Sequence, residues 1–574
     1  QFSDSKFLSH LLGGIKYAIG LGQPVDYSRA YAELVPEENR FNKTMFTQNL
    51  NEPMELDFLS DNKIIFIERK GDVHIYDLEK GKDSVIMTMD VFSGLEDGLL
   101  GMAVDPNFKE NNWIYMYYSK PDEDKQNLSR FELKSDVLDL ASEKVLLQVA
   151  TQREECCHSA GSIEFGPDGL LYLSTGDNTS PRADGYAPID NREDRYPWDA
   201  QKSAGNTNDL RGKILRIKPE ADGTYSIPEG NLFAKGEAKT RPEIYVMGNR
   251  NPYRISVDSR TGFLYWGEVG PDGNNDSLNL GPRGYDEINQ AQNAGNFGWP
   301  FIIANNQAYH TRDYIAETTG AVFDSLRPIN ESPNNTGLRE LPPSQPAMIY
   351  YPYATSEEFP ALGTGSRNAM AGPIYYSEDY PESGLNWPDF FDGKLLAYDW
   401  MRGWIFAVTM KEDGSFDKMT QIVPNMKFNN TIDMVFGPDG ALYILEYGTG
   451  WFSQNANATL SRIEFIQGNR VPKAEIAADK TIGADPMTVN FAGRNSIDYD
   501  GDALTYKWTF GEGGEESTEI NPTYTFNESG KYKVNLEVTD SEGKVANTET
   551  EIMVGNELPE LSWEITGGNS SFYW

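Results

Sequence analysis

The residues best suited to chemistry lie close together between positions 156 and 178, which read CCHSAGSIEFGPDGLLYLSTGDN. This stretch contains both cysteines of the chain and one of its four histidines, His158. An imidazole titrates near neutral pH, so it can take a proton from a substrate hydroxyl. The alternative is a histidine that only caps a turn through its ring N–H. The strand, Pro-Asp-Gly turn and second strand that follow would hold His158 in a rigid frame.

The adjacent Cys156 and Cys157 admit three interpretations. They form a vicinal disulfide beside His158, they are two thiols that bind a metal, or they are two small buried residues. Two neighbouring cysteines and one histidine cannot complete a tetrahedral metal site. A disulfide suits an exported protein. We therefore favour the disulfide. The other histidines, His10, His74 and His310, are weaker catalytic candidates.

The elements that must position these residues are short strands joined by turns of Asp, Pro, Gly and Asn. Six such units follow each other from about residue 51: MELDFLSDNKIIFIERKGDVHIYDL, GMAVDPNFKENNWIYMYYS, SIEFGPDGLLYLSTGD, RISVDSRTGFLYWGEVG, AGPIYYSEDYP with GKLLAYDWMRGWIFAVTM, and IDMVFGPDGALYILEYG. Six alternating units predict a six-bladed β-propeller over residues 46–468. The long insertions at 178–210 and 301–365 are expected to crowd one face of the propeller and shape a pocket there.

The flanks of the propeller have different patterns. Residues 1–22 predict a short amphipathic helix, and we interpret 1–45 as the tail of a missing domain plus a linker. Residues 469–555 predict an immunoglobulin-like β-sandwich, and 556–574 look like the start of a further, truncated domain. The fold class is therefore all-β with a short N-terminal helix. In the sandwich, Asp498, Asp500 and Asp502 form a D-x-D-G-D cluster that either binds calcium or is a solvated acidic turn.

The charge of the chain restricts its partners. With 87 acidic and 50 basic residues the formal charge is −37, and binding to nucleic acid requires a basic surface instead. No apolar run is long enough for a transmembrane helix. We predict a periplasmic, cell-surface or secreted protein whose signal peptide is not in this sequence.

Several motifs in their order along the chain resemble a known family. Residues 50–467 resemble the soluble quinoprotein glucose/sorbosone dehydrogenases through GLEDGLLGMAVDPNF, HSAGSIEFGPDGLLYLSTGD, GKILRIK, GNRNPYRISV, EVGPD, YDEINQAQNAGNFGWP and IDMVFGPDG. Residues 471–554 resemble a PKD domain through DYDGDALTYKWTFGEG and GKYKVNLEVTD. The first 20 residues resemble the last helix of a ThuA-type (trehalose-utilisation) domain.

This resemblance implies a six-bladed propeller that uses pyrroloquinoline quinone (PQQ) and calcium to oxidise the anomeric hydroxyl of a sugar. It implies that His158 is the base and that Arg250 is a second catalytic residue. The cofactor-binding residues implied or considered are Glu96, Asp177, Asn251, Arg367 and Arg402. Calcium ligands are implied at Gly270, Pro271 and Asp272, while Asp286 and Glu287 are supports or ligands.

The departures from the family pattern concern charge. The quinone has three carboxylates, and the three basic residues that neutralise them are replaced by Met401, Asn430 and Ile432. Glu96 stands where the family has a glutamine and would repel an anion. Only Arg367 and Arg402 are left to compensate, and burying a trianion without basic partners is costly.

Two functions follow from these observations. The first is an exported PQQ- and calcium-dependent aldose dehydrogenase. The alternative is a propeller that has lost PQQ and binds or processes a carbohydrate, with Glu96, Asp177 and His158 as acid/base groups. In both, the partner is a carbohydrate, and the PKD domain is available for a partner in a surface complex.

Overall fold

A computed structural model describes residues 5–18, 34–181, 187–380 and 383–555 of the chain. Strands dominate this part, which confirms the all-β prediction. The α-helices are α1 (Ser5–Ala18) and α2 (Phe108–Asn111). Short 3₁₀ turns lie at Glu38–Arg40, Tyr196–Trp198, Ala200–Lys202, Pro360–Leu362, Ser377–Asp379 and Asp389–Phe391. None of the described helices is both long and apolar enough to cross a membrane.

The helix predicted at the N-terminus is present as α1, and its likeness to a ThuA-type domain stays a prediction. The predicted further domain at 556–574 lies outside the described residues, as do residues 1–4 and 19–22 of the predicted helix and residues 23–33 of the predicted linker.

The described residues before position 468 form thirty strands. They are β1 (Phe41–Gln48), β2 (Pro53–Ser60), β3 (Lys63–Glu68), β4 (Asp72–Asp77), β5 (Lys82–Thr88), β6 (Leu99–Val104), β7 (Trp113–Ser119), β8 (Lys125–Lys134), β9 (Val137–Ala150), β10 (Ile163–Phe165), β11 (Leu171–Thr175), β12 (Lys213–Pro219), β13 (Tyr225–Ser226), β14 (Ile244–Met247), β15 (Pro252–Val257), β16 (Leu264–Glu268), β17 (Asp286–Ala291), β18 (Gly295–Asn296), β19 (Ile302–Ile303), β20 (Gln307–Ala308), β21 (His310–Asp313), β22 (Thr318–Val322), β23 (Ile349–Tyr351), β24 (Ala369–Tyr375), β25 (Lys394–Asp399), β26 (Ile405–Met410), β27 (Phe416–Ile422), β28 (Thr431–Phe436), β29 (Leu442–Glu446) and β30 (Thr459–Phe465).

Most of these strands form six successive sheets, which are antiparallel except for the parallel pair β14–β18. In chain order the sheets are β2-β3-β4-β5, β6-β7-β8-β9, β10-β11-β12-β14-β18, β15-β16-β17-β23, β24-β25-β26-β27 and β28-β29-β30-β1. The first strand of each sheet lies beside the first strand of the next, and β28 lies beside β2. In the last sheet the outer strand is β1, which comes first in the chain and pairs with β30. The arrangement is propeller-like, with the first strands innermost.

The turn chemistry explains the hairpins that the sequence predicts. Between β10 and β11 the segment Gly166–Leu170 forms a tight turn, in which Gly166 N–H donates to Leu170 O at 2.9 Å. Gly169 has φ +73°, a left-handed conformation that glycine adopts without steric cost. The hairpin leaves Asp177 two residues beyond the end of β11, at the edge where the first strands begin.

The second unit is a small sandwich. Its strands are β31 (Ala477–Ala478), β32 (Ile482–Gly483), β33 (Met487–Ala492), β34 (Thr505–Phe510), β35 (Glu516–Ser517), β36 (Thr523–Phe526), β37 (Gly530–Thr539) and β38 (Val545–Val554). They form the sheets β31-β33-β36 and β32-β38-β37-β34-β35. Alternate residues of β33 and β37 face a core built around Trp508. This confirms the β-sandwich prediction.

Candidate active site

One cavity of about 350 Å³ lies where the loops of the sheets converge. Three innermost strands contribute Met54 (β2), Tyr253 (β15) and Ile432 (β28), and the rest of the lining comes from loops between strands. The side chains that line it include Arg69, Glu96, Cys157, His158, Arg250, Asn251, Tyr253, Asp272, Tyr353, Arg367, Asn368, Trp400, Met401, Ile432, Tyr447, Trp451 and Phe452. Most of the site residues predicted from the sequence are therefore brought together in one pocket.

His158 and Asp177 form a buried pair in the wall of this cavity. The Nδ1 atom of His158 lies 2.7 Å from Oδ1 of Asp177. The His158 side chain is 4% exposed and that of Asp177 is fully buried. Within the described residues, Nδ1 is the only ring nitrogen of His158 with a protein hydrogen bond, which leaves Nε2 for a ligand. Sequence reasoning placed both residues in the site, but it did not predict this contact.

Asp177 is held as an anion by its neighbours. Its Oδ1 also accepts hydrogen bonds from the N–H and the hydroxyl of Thr179, at 3.0 and 2.8 Å, and its Oδ2 accepts one from Trp299 Nε1 at 2.8 Å. Burial alone would raise the pKa of Asp177, but His158, Arg250 and the Trp299 N–H outweigh it and lower the pKa. An ionised carboxylate only accepts hydrogen bonds, so Nδ1 of His158 carries the proton of this contact, and Nε2 is the ring nitrogen left to exchange a proton with a ligand.

The backbone around His158 is fixed as firmly as its ring. His158 has φ +59°, a left-handed conformation that is uncommon outside glycine. Its N–H donates to Oε2 of Glu96 at 2.6 Å. A Cβ atom on Gly176 would lie 1.8 Å from the carbonyl oxygen of His158, which explains the glycine in the Gly-Asp end of the motif. Glu96 therefore helps to fix the backbone of His158.

Cys156 and Cys157 are joined as a vicinal disulfide. Cys157 lines the cavity beside His158. Among the three interpretations left open by the sequence, the structure has the disulfide.

Arg250 and Asn251 are oriented by Glu268, a carboxylate that the sequence did not single out. Oε1 of Glu268 accepts the N–H groups of both residues, at 2.7 and 2.6 Å. Nη1 of Arg250 donates to Val269 O at 2.8 Å. Oδ1 of Asn251 is buried and has no hydrogen-bond partner among the described residues. It is therefore a polar atom in need of a ligand.

The predicted calcium ligands are placed differently from one another. Gly270 and Asp272 line the cavity, but Asp272 is exposed and accepts a hydrogen bond from the hydroxyl of Tyr353. The carbonyl oxygen of Pro271 accepts a hydrogen bond from Nη2 of Arg367, with the two atoms 2.7 Å apart. A guanidinium on this oxygen competes directly with a cation at the same place.

Three further predicted residues bind the scaffold: Arg402, Asp286 and Glu287. Arg402, expected to contact the cofactor, does not line the cavity; its guanidinium donates to carbonyl oxygens of the loop at 352–366. The Arg402 charge is directed at the backbone of that loop, and a cofactor-binding role for it stays a prediction. Asp286 accepts Gly270 N–H at 3.0 Å and lies 3.2 Å from Nε of Arg367. Glu287 accepts the N–H of Ala304 at 2.6 Å.

Aromatic residues at the mouth of the cavity were missed by the sequence analysis. Trp451 is 60% exposed and packs edge-on against Trp400, with ring centroids 5.3 Å apart. Nε1 of Trp400 is buried and lacks a hydrogen-bond partner in the described chain. The signal available was the pair Trp451–Phe452 in the turn after β29, where aromatic side chains have no core to fill.

The comparisons with known proteins agree with this fold. Residues 50–329 match the family Glucose / Sorbosone dehydrogenase. Residues 469–554 match the PKD domain. These matches support the two domains predicted at these positions.

Two relatives carry names that bear on activity. Quinoprotein glucose dehydrogenase B of Acinetobacter calcoaceticus is 25% identical over 470 residues, covering 77% of this chain and 91% of the relative. Aldose sugar dehydrogenase YliI of Escherichia coli is 25% identical over 264 residues, covering 45% of this chain and 62% of the relative. A solved glucose dehydrogenase aligns with TM-score 0.50 and 20% identity over 73% of this chain and 99% of its own, which shows the fold.

The charges of the cavity do not fit the trianionic quinone and calcium that the family implies. Arg69 is paired with Glu52 at 2.6 Å, and Arg367 lies 3.2 Å from Asp286. Glu96 adds a negative charge to the lining. At the three positions expected to be basic, Met401 and Ile432 line the cavity without charge, while Asn430 donates to Trp400 O outside it. Of the three arginines that line the cavity, only Arg250 has no ion pair among the described residues, so most of the negative charge of the quinone would lack a partner.

The acidic cluster predicted in the sandwich has a different membership. Asp498, Asp502 and Asp540 place carboxylate oxygens within 4.8 Å of one another. Asp500 points away, since Arg470 donates to its oxygens at 2.7 and 3.0 Å. Asp540 replaces Asp500 as the third carboxylate of the cluster.

Proposed function

We propose that this protein is an exported carbohydrate-handling propeller whose central cavity binds a sugar, with His158 as the general base on one sugar hydroxyl. The observation that carries the proposal is the His158–Asp177 pair: Nδ1 and Oδ1 lie 2.7 Å apart, and His158 lines the cavity.

The pair can perform one step with its own atoms. Nε2 of His158 accepts the proton of a bound hydroxyl, and the imidazolium that forms is stabilised by the Asp177 carboxylate at Nδ1. Arg250 lines the same cavity, and its fixed positive charge favours the alkoxide that remains.

Unpartnered polar atoms in the wall favour a sugar over an apolar ligand. Asn251 Oδ1 is an acceptor and Trp400 Nε1 is a donor, and both are buried without partners among the described residues. A sugar hydroxyl donates and accepts at once, so a ring with several hydroxyls can satisfy both atoms. The exposed ring of Trp451 supplies a flat face for the apolar side of a sugar.

A second candidate is aldose oxidation with PQQ and calcium. Likeness to the quinoprotein of Acinetobacter calcoaceticus favours it, and PQQ would supply the hydride acceptor. The paired arginines, Glu96 and the guanidinium on Pro271 O do not fit that cofactor. We therefore derive no step through it.

The wider setting of the proposal is also an inference. We infer a closed ring of six blades, which the neighbouring first strands and the β1–β30 pairing support. The disulfide and the sugar dehydrogenase relatives support a periplasmic, cell-surface or secreted location. The PKD domain is proposed as a contact for other surface components.

Calorimetry on the full chain tests the proposal. Neutral monosaccharides, uronic acids and oligosaccharides are titrated into the wild type, His158→Asn and the control His310→Asn, which alters a histidine outside the cavity. We expect a carbohydrate to bind the wild type and the control alike, and His158→Asn to bind it within a few fold. Failure of every carbohydrate class to bind would overturn the proposal.

A parallel arm separates the two candidates. The same proteins receive PQQ and calcium chloride, and dye reduction is followed with a panel of aldoses. We expect no aldose-dependent reduction. Reduction by the wild type and the control that is lost in His158→Asn would establish the quinoprotein activity instead.

A further inference from the structure

A histidine and two carboxylates form a second cluster, on the hairpin β3–β4 of the first sheet. The cluster consists of Glu68, Asp72 and His74. Glu68 ends β3 and Asp72 begins β4, so they lie opposite each other across the turn. In an antiparallel pair, alternate residues share a face. Because Phe66 pairs with His74, all three side chains project from the same face.

The ligand atoms of the cluster face one another. One atom from each residue lies within 4.8 Å of the other two. Nε2 of His74 is 3.6 Å from Oε1 of Glu68, which is longer than a hydrogen bond. The His74 side chain is 7% exposed. Its Nε2 is buried and has no hydrogen-bond partner among the described residues. A buried polar atom of this kind, 3.6 Å from the Glu68 carboxylate and beyond its hydrogen-bond reach, calls for a ligand.

The other ring nitrogen of His74 is already used. Nδ1 lies 3.1 Å from both oxygens of Asp83, on the neighbouring strand β5. Histidines that bind metals usually donate their second ring N–H to a carboxylate, which fixes the tautomer and the ring orientation. The Asp83–His74 contact leaves Nε2 as the coordinating atom. This second observation is independent of the acidic character of the cluster.

We propose that the cluster of Glu68, Asp72 and His74 binds a zinc ion. Imidazole nitrogen and carboxylate oxygen are common zinc ligands, and three protein ligands leave a fourth position for water. The separation between Nε2 and Oε1 suits two ligands of one tetrahedral ion with bonds of about 2.0–2.2 Å. Glu68 also accepts Asn51 N–H at 2.7 Å, so the ion would fasten the hairpin to the segment before β2.

The experiment is a zinc titration of the full chain after treatment with a chelator. Excess calcium chloride is present throughout, so that oxygen-only sites such as the acidic cluster of the sandwich are occupied. We expect one zinc per chain at micromolar concentration. His74→Asn and Asp72→Asn are each expected to weaken binding at least tenfold, while the control His310→Asn keeps it. Asp83→Asn retains every ligand and is expected to weaken binding by about 10- to 100-fold.

The two ligand variants also distinguish loss of a zinc ligand from loss of the fold. Asp72 is only half-buried, so Asp72→Asn is expected to melt within a few degrees of the wild type even if His74→Asn is destabilised. Absence of zinc binding by the wild type would overturn the proposal and leave a histidinium between Glu68 and Asp83. Binding that persists unchanged in Asp72→Asn and His74→Asn would overturn it as well.

Discussion

Replacement of Asp177 by asparagine tests the arrangement of the candidate base. The side chain of Asp177 accepts four hydrogen bonds: one from His158, two from Thr179 and one from Trp299. An asparagine has one carbonyl oxygen. If that oxygen takes the place of Oδ1, the amide NH₂ meets the Trp299 N–H and two donors face each other. If it faces Trp299, the NH₂ meets His158 and imposes the wrong tautomer.

The magnitude follows from those four bonds. Hydrogen bonds to an ionised acceptor contribute about 1.5–3 kcal/mol each and neutral ones about 0.5–1.5 kcal/mol. Asp177→Asn loses one bond and weakens three, and bonds within one network are not additive. We expect the free energy of unfolding to fall by about 3 kcal/mol. Carbohydrate binding is expected to change little, because Asp177 does not line the cavity.

Urea unfolding measures the effect, with Asp417→Asn as the matched control because Asp417 is exposed on β27. A double-mutant cycle with Trp299→Phe isolates the Asp177–Trp299 bond, for which we expect a coupling of about 1.5–3 kcal/mol. A loss below about 0.5 kcal/mol, typical of surface substitutions, would refute the reasoning.

The same variant has a defined pH signature. The folded protein lowers the pKa of Asp177. Its ionisation therefore adds stability above the unfolded value of about 4, and this stability is lost as the pH falls through the folded pKa. Asp177→Asn is expected to lose less stability than the wild type when the pH is lowered below about 4. An unchanged acid profile would contradict the assigned charge.

Three further predictions address the ligands. Trp451→Ala is expected to weaken oligosaccharide binding about 3- to 10-fold in calorimetry, because one stacking contact is lost, and to leave the melting temperature unchanged. An unchanged Kd would refute a stacking role for Trp451. Met401→Lys is expected to raise the affinity for PQQ in fluorescence titration, because it adds a cation to the cavity; equal affinity would show that charge is not the obstacle. Calcium is expected to raise the melting temperature of the sandwich. Asp502→Asn is expected to abolish this shift, whereas Asp500→Asn is expected to keep it. A shift that persists in Asp502→Asn and is lost in Asp500→Asn would show that Asp500, not Asp502, is the calcium ligand.

The strands could be predicted from the sequence because their signals are local. Pro-Asp-Gly turns between alternating apolar residues determine hairpins over a dozen residues, as in 163–175. The grouping of His158 and Asp177 also followed from neighbouring motif positions. Their contact with Trp299 could not be predicted, since it joins residues 122 positions apart in the chain. Such contacts depend on how neighbouring sheets are arranged relative to one another.

The partners of individual charged side chains could not be predicted from the sequence either. Arg402 and Arg367 look alike in a sequence. The Arg402 guanidinium donates to carbonyl oxygens of the loop at 352–366, whereas Arg367 lines the cavity. Asp500 belongs to an acidic motif, but Arg470 draws it away and Asp540 takes its place. His74 looked like an ordinary strand residue because Glu68 and Asp83 reach it from two different neighbouring strands.

The pairing of β1 with β30 also constrains how the protein is made. Next to this pair, Arg40 donates to Ile466 O across 426 residues of chain. During synthesis, β1 leaves the ribosome early and waits with unpaired backbone groups until β30 emerges. A nascent chain that stalls before Thr459 therefore exposes a strand edge that invites aggregation. Completion of the sheet β28-β29-β30-β1 is a late, long-range event, and the sandwich is translated only afterwards.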